Sequence, residues 1–132
     1  MNALFWLPAA LSLGLLVFHV AAGGREVVRP LLGSRELQPD VVHVLYLCWH
    51  VVTIVLAMFV ACYALAATDS AYTLLARLAT VMAGVMALLS LAVVISKRQS
   101  HREMPQWIAF LVLAAAGAWP SFSQAGGGAS AT

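Results

Sequence analysis

Residues 41–67 read VVHVLYLCWHVVTIVLAMFVACYALAA, from Val41 to Ala67, without one Asp, Glu, Lys or Arg. About 20 mostly apolar residues wound as an α-helix reach across the hydrocarbon core of a bilayer. Three other stretches follow the same rule: residues 4–22, residues 71–96 with Arg77 as their one charge, and the shorter 104–122. Trp107 and Trp119 lie near the ends of the last, which suits the two interfaces of a membrane. The expected fold is all-α, an integral membrane four-helix bundle over residues 1–122. A flexible Gly- and Ser-bearing tail is expected at 123–132.

Composition agrees with these spans. Hydrophobic residues make up 63% of the 132 residues and charged residues 9%, against about 45–50% and 25% in soluble domains. A soluble chain this short buries too little of its surface to hide so much apolar area. A net charge of +2, scattered along the chain, gives no nucleic-acid footprint. Cys48 and Cys62 fall on one predicted helix about 21 Å apart, too far for a disulfide.

The breaks have local causes. Gly23-Gly24 is expected to end the first helix, leaving a long loop to Asp40. Its apolar pairs Val27-Val28 and Leu31-Leu32 alternate with charges, as in a segment dipping into the interface or an ordinary connection. Pro39-Asp40 suits a helix start, and Thr68-Asp69-Ser70 is a capping cluster. Residues Lys97 to Glu103 form a charged loop. No basic residue precedes the first apolar run, so a cleaved signal peptide is not expected.

Of the seven basic residues, Arg25, Arg29, Arg35, Lys97, Arg98 and Arg102 fall in the first and third connections. Those connections share one side in any four-span arrangement, and the positive-inside rule makes that side cytoplasmic. Both termini then face outward, and the expected location is a bacterial inner membrane.

Small residues let helices approach closely in lipid. Ala79, Ala83 and Ala87 recur at four-residue spacing, as do Ala57 with Ala61 and Ala114 with Ala118. No Asp or Glu falls mid-span, which argues against a proton- or cation-coupled exporter.

The polar residues of interest are histidines. His19 lies near the cytoplasmic end of the first span. His43 and His50 are seven residues apart on one face of the second, the latter about 10 Å deeper. Tyr46 and Thr53 border that stripe, and His101 lies in the basic loop. The leading reading is ordinary interhelical or interfacial hydrogen bonding. A second is haem b held by His19 facing His50 or His43, since bundle cores host such sites. A third is a transition-metal site from His19, His43 and Cys48 or His101. Arg77, close to the outer end, is expected to snorkel to the headgroups, with a partner-helix or anion contact as the alternative. No nucleophile elbow, phosphate loop, dinucleotide fingerprint or zinc-protease motif occurs.

The run Phe18-His19, Gly23-Gly24 and Arg29-Pro30-Leu31-Leu32, followed by Tyr46, Trp49-His50 and Thr53, resembles a class of uncharacterised small bacterial membrane proteins with four predicted helices. The resemblance covers the first half of the chain. It implies an inner-membrane protein and transfers no catalytic residue. It singles out His19, the glycine pair, Arg29-Pro30, Trp49 and His50. The expected function is a non-enzymatic accessory or structural subunit, partnered by the bilayer and by other membrane subunits or its own copies. A haem- or metal-bearing redox module and an oligomeric small-solute carrier are the alternatives.

Overall fold

Asn2 fastens the start of the chain in two directions. Its side-chain oxygen accepts from the Leu4 N–H at 3.2 Å, and its own backbone N–H donates to the Ala67 carbonyl at 3.2 Å. The computed structural model describes residues 2–102 and 104–123. Residues 124–132 of the expected flexible tail lie outside the described residues.

The first helix runs over Ala3–Leu32, well past the break expected after Ala22. It changes winding along its length: a 3-10 turn at Ala3–Phe5, α-helix over Trp6–Phe18, π-helix over His19–Val28, and α-helix again over Arg29–Leu32. Gly23 and Gly24 therefore do not terminate it. A glycine inside a helix costs only about 1 kcal/mol relative to alanine, and Gly23 is needed bare because the Trp49 ring lies against it. Pro30 follows the return to α-winding at Arg29; lying inside a continuous helix and lacking an N–H, it leaves a carbonyl of the preceding turn without its backbone donor. Gly33 closes the helix by donating to the Arg29 carbonyl at 3.1 Å.

The second helix, Pro39–Thr68, starts with Pro39 and Asp40 in its first turn after an extended Gln38. Asp69 ends it, and its side chain accepts the Ala71 N–H at 2.9 Å, capping the turn at Ser70–Tyr72. The third helix, Ser70–Ser96, is this 3-10 turn continued as α-helix. It stops at Lys97-Arg98, where Arg98 takes a φ of 53°. The fourth, Gln106–Phe122, follows Pro105 and carries Pro120 in its last turn.

The first three helices are long and apolar enough to cross a membrane, with mean hydropathies of 2.0, 2.4 and 2.5 over their most apolar windows. The fourth is apolar too but shorter. Each helix packs antiparallel to the next and the fourth returns to the first, so the four close a ring. Of the four neighbouring pairs, the third and fourth are in most extensive contact and the first and fourth in the least. Ala76, Ala79, Ala83 and Ala87 are all buried, as the spacing of small residues on the third helix anticipates. Phe5, Leu56, Phe59, Tyr63 and Leu113 fill the centre. The Ala57–Ala61 pair instead faces outward. One end of the bundle, the basic end, carries the connections with Arg35, Lys97, Arg98 and Arg102.

Candidate functional site

At the basic end, the first and second helices are joined through aromatic rings. His19 and Gly23 lie four residues apart and so project from neighbouring positions. The His19 imidazole lies flat on the Trp49 indole, centroids 3.8 Å apart and planes at 15°. Its Nε2 stands 3.4 Å from the Trp49 carbonyl oxygen. That carbonyl also accepts from the Thr53 hydroxyl at 3.1 Å. A carbonyl only accepts, so this contact calls for the proton on Nε2 and leaves Nδ1 as the imidazole's acceptor.

Beside this stack is a cavity of about 350 Å³ between the first helix, the second helix and the start of the fourth. Phe18, Val52, Leu56 and Phe110 line it together with His19 and Trp49. Glu26, Arg102 and Gln106 also line it. This volume lies within the range of small-molecule sites, and an apolar body with a few polar groups is their usual character. Leu15 and Phe18 are shared with a second, apolar hollow of about 400 Å³ that runs between the first and fourth helices past Gly14 and Ala109.

The remaining histidines sit elsewhere. His50 is exposed and meets Tyr46 edge-on, centroids 4.5 Å apart and planes at 80°. His43 is exposed as well. The ring of His19 is thus committed to Trp49, while His43 and His50 look out from the second helix. Among the described residues, no group of three His, Cys, Asp or Glu side chains gathers where it could hold a metal. The grouping of His19, His43 and Cys48 or His101 is not assembled. His101 lies edge-on to Trp107, centroids 5.6 Å apart. Arg29 is exposed at the switch from π- to α-winding.

The opposite end holds a buried polar cluster that patterning did not single out. The hydroxyls of Tyr63 and Thr80 are 3.0 Å apart, and those of Thr80 and Ser121 are 3.2 Å apart. Thr80 also donates to the Ala76 carbonyl at 2.8 Å. Second, third and fourth helices are tied at one point. Gly117 makes room for it: a Cβ there would stand 2.5 Å from both the Tyr63 and Thr80 hydroxyls. Arg77 belongs to this end too. It does not simply reach for headgroups, because its Nε donates to the Ser121 carbonyl at 2.7 Å and its guanidinium stands 6.0 Å from the Phe122 ring centre. A helix end exposes carbonyls that a cation satisfies well, which explains the inward turn. Gly117 and Ser121, four residues apart before Phe122, were the sequence signal for this face.

No protein-family model, curated protein or solved structure matches this chain. Of the residues singled out in the sequence, His19, Gly23 and Trp49 form one contact set, and Tyr46 with His50 forms another.

Proposed function

We propose that this is a multi-pass protein of the bacterial inner membrane, with its basic end in the cytosol and both termini outside. On this reading it serves as a non-enzymatic accessory or structural subunit of a larger membrane complex. Membrane insertion is supported by the outward apolar side chains, among them Leu47, Leu88 and Trp119 at 62%, 69% and 71% exposure, which water would not tolerate in such number. Orientation is supported by the six basic residues at one end.

The observation that carries the partner reading is the outward face of the second helix. His43, Tyr46, His50, Thr53, Ala57 and Ala61 follow one another at three- and four-residue steps along one stripe. His43, His50, Ala57 and Ala61 are exposed, and Tyr46 and Thr53 are half-buried. Polar groups facing lipid are costly, and small residues admit a close neighbour. The stripe suits a transmembrane helix of another subunit, held by hydrogen bonds at the basic end and by close backbone approach further along.

Purification in mild detergent tests this. Wild-type protein is expected to bring down other membrane subunits, and Ala57→Leu with Ala61→Leu, which fills the stripe without touching the core, is expected to lose them. A lone monomer, or a complex made only of its own copies, overturns the accessory reading.

A further inference from the structure

The cavity at the basic end has opposite charges on its lining and an apolar hollow beside it. Glu26 comes from the π-helical part of the first helix, and Arg102 from the connection before the fourth. Anionic lipid heads are recognised by clusters of cations. Here Glu26 and Arg102, both exposed residues, line the same cavity as Phe18 and Phe110. A neighbouring hollow, which shares Leu15 and Phe18 with the cavity as lining residues, passes Gly14 and Ala109 along the seam between the first and fourth helices.

We infer that this cavity binds a zwitterionic phospholipid with a primary ammonium head. Arg102 takes the phosphate, Glu26 takes the ammonium, and one acyl chain lies in the hollow between the first and fourth helices. Guanidinium matches phosphate oxygens with paired N–H donors. The carboxylate accepts from an ammonium N–H, which a glycerol head cannot supply with charge. Gln106 adds a donor for the phosphate or ester oxygens, and the His19–Trp49 stack forms a rigid wall beside the glycerol region. Gly14 and Ala109 leave the hollow wide enough for a chain, since nothing lies within 4 Å of a Cβ built on Gly14.

The inference rests on the membrane reading, but not on the partner reading. A chain that stays in the aqueous fraction without detergent would end both before any lipid is added. For a chain that requires detergent, the full-length protein is delipidated and offered phosphatidylethanolamine or phosphatidylglycerol, and bound lipid is counted by native mass spectrometry. Wild type is expected to prefer phosphatidylethanolamine by about tenfold, the effect of roughly one charge-assisted hydrogen bond. Glu26→Gln is expected to abolish the preference, and Arg102→Gln to weaken both lipids. Gly14→Leu is expected to reduce binding of both while leaving the helical signal intact. Equal binding of the two lipids by wild type overturns the proposal. So does an unchanged preference in Glu26→Gln, which would mean that Glu26 does not read the head group. A tightly held co-purifying quinone that phosphatidylethanolamine cannot displace overturns it as well.

Discussion

The indole of Trp49 occupies the space in which Gly23 would carry a Cβ. The nearest ring atom would collide outright, and two more would stand 3.2 Å away. The indole cannot slide aside freely, because His19 lies flat on it. Gly23→Ala is therefore expected to destabilise the bundle by about 1–3 kcal/mol, the usual range for overpacking. Gly24 has nothing within 4 Å of a built Cβ. Gly24→Ala should be neutral or stabilising by up to about 1 kcal/mol, through lost unfolded-chain freedom. Thermal loss of the helical circular-dichroism signal in detergent compares the pair. Equal behaviour of the two variants would contradict the close packing of Gly23 on Trp49.

That contrast also marks where sequence patterning stops. Apolar length alone reveals four helices and the all-α fold, because a bilayer-length run with no charge has few other solutions. The same patterning ends the first helix at Gly23-Gly24, since two adjacent glycines read as a cap. Whether a glycine ends a helix or admits a ring depends on Trp49, which is remote in sequence. The seven-residue spacing of His43 and His50 is likewise legible as one face. Which way that face looks depends on the neighbouring helices, and it looks outward. Arg77 and Ser121 show the same limit: each is visible in the sequence, but their contact joins positions on two different helices.

The Tyr63–Thr80–Ser121 cluster is expected to act as a unit. Tyr63→Phe removes one hydroxyl from Thr80, which keeps its bonds to Ala76 and Ser121. The cost should be about 1 kcal/mol. Gly117→Ala pushes a methyl against both the Tyr63 and Thr80 hydroxyls and should cost about 1–3 kcal/mol. In a Tyr63→Phe/Thr80→Ala background that methyl finds space, so the cost of Gly117→Ala should shrink by at least about 0.5 kcal/mol. Strict additivity in the same thermal assay would show that the cluster does not pack as a unit.

The π-helical stretch His19–Val28 should open more readily than Trp6–Phe18, although both belong to one continuous helix. π-winding is rare, and it marks places where side-chain contacts hold a register that the backbone alone does not favour. Here the holding contact is His19 on Trp49. Amide hydrogen exchange in detergent is expected to be faster over residues 19–28 than over 6–18, and Trp49→Ala should speed the former selectively. Uniform protection across the helix, unchanged in Trp49→Ala, would separate the π-winding from the ring stack.

Arg77 distinguishes a helix cap from a snorkelling side chain. A snorkelling cation needs only length and charge, and lysine supplies both. The contact observed uses the guanidinium Nε against the Ser121 carbonyl at 2.7 Å, with Phe122 beside the same group. Lysine has no N–H at that position along its side chain and presents a compact, strongly hydrated ammonium instead. Arg77→Lys is therefore expected to lower stability by about 1–2 kcal/mol, the scale of one hydrogen bond to a charged group with a weak ring contact. Phe122→Leu should cost about 0.5–1 kcal/mol in the wild type and less in the lysine background, because it removes a ring that only the guanidinium faces closely. If Arg77→Lys melts with the wild type, the side chain is serving the interface and not the fourth helix.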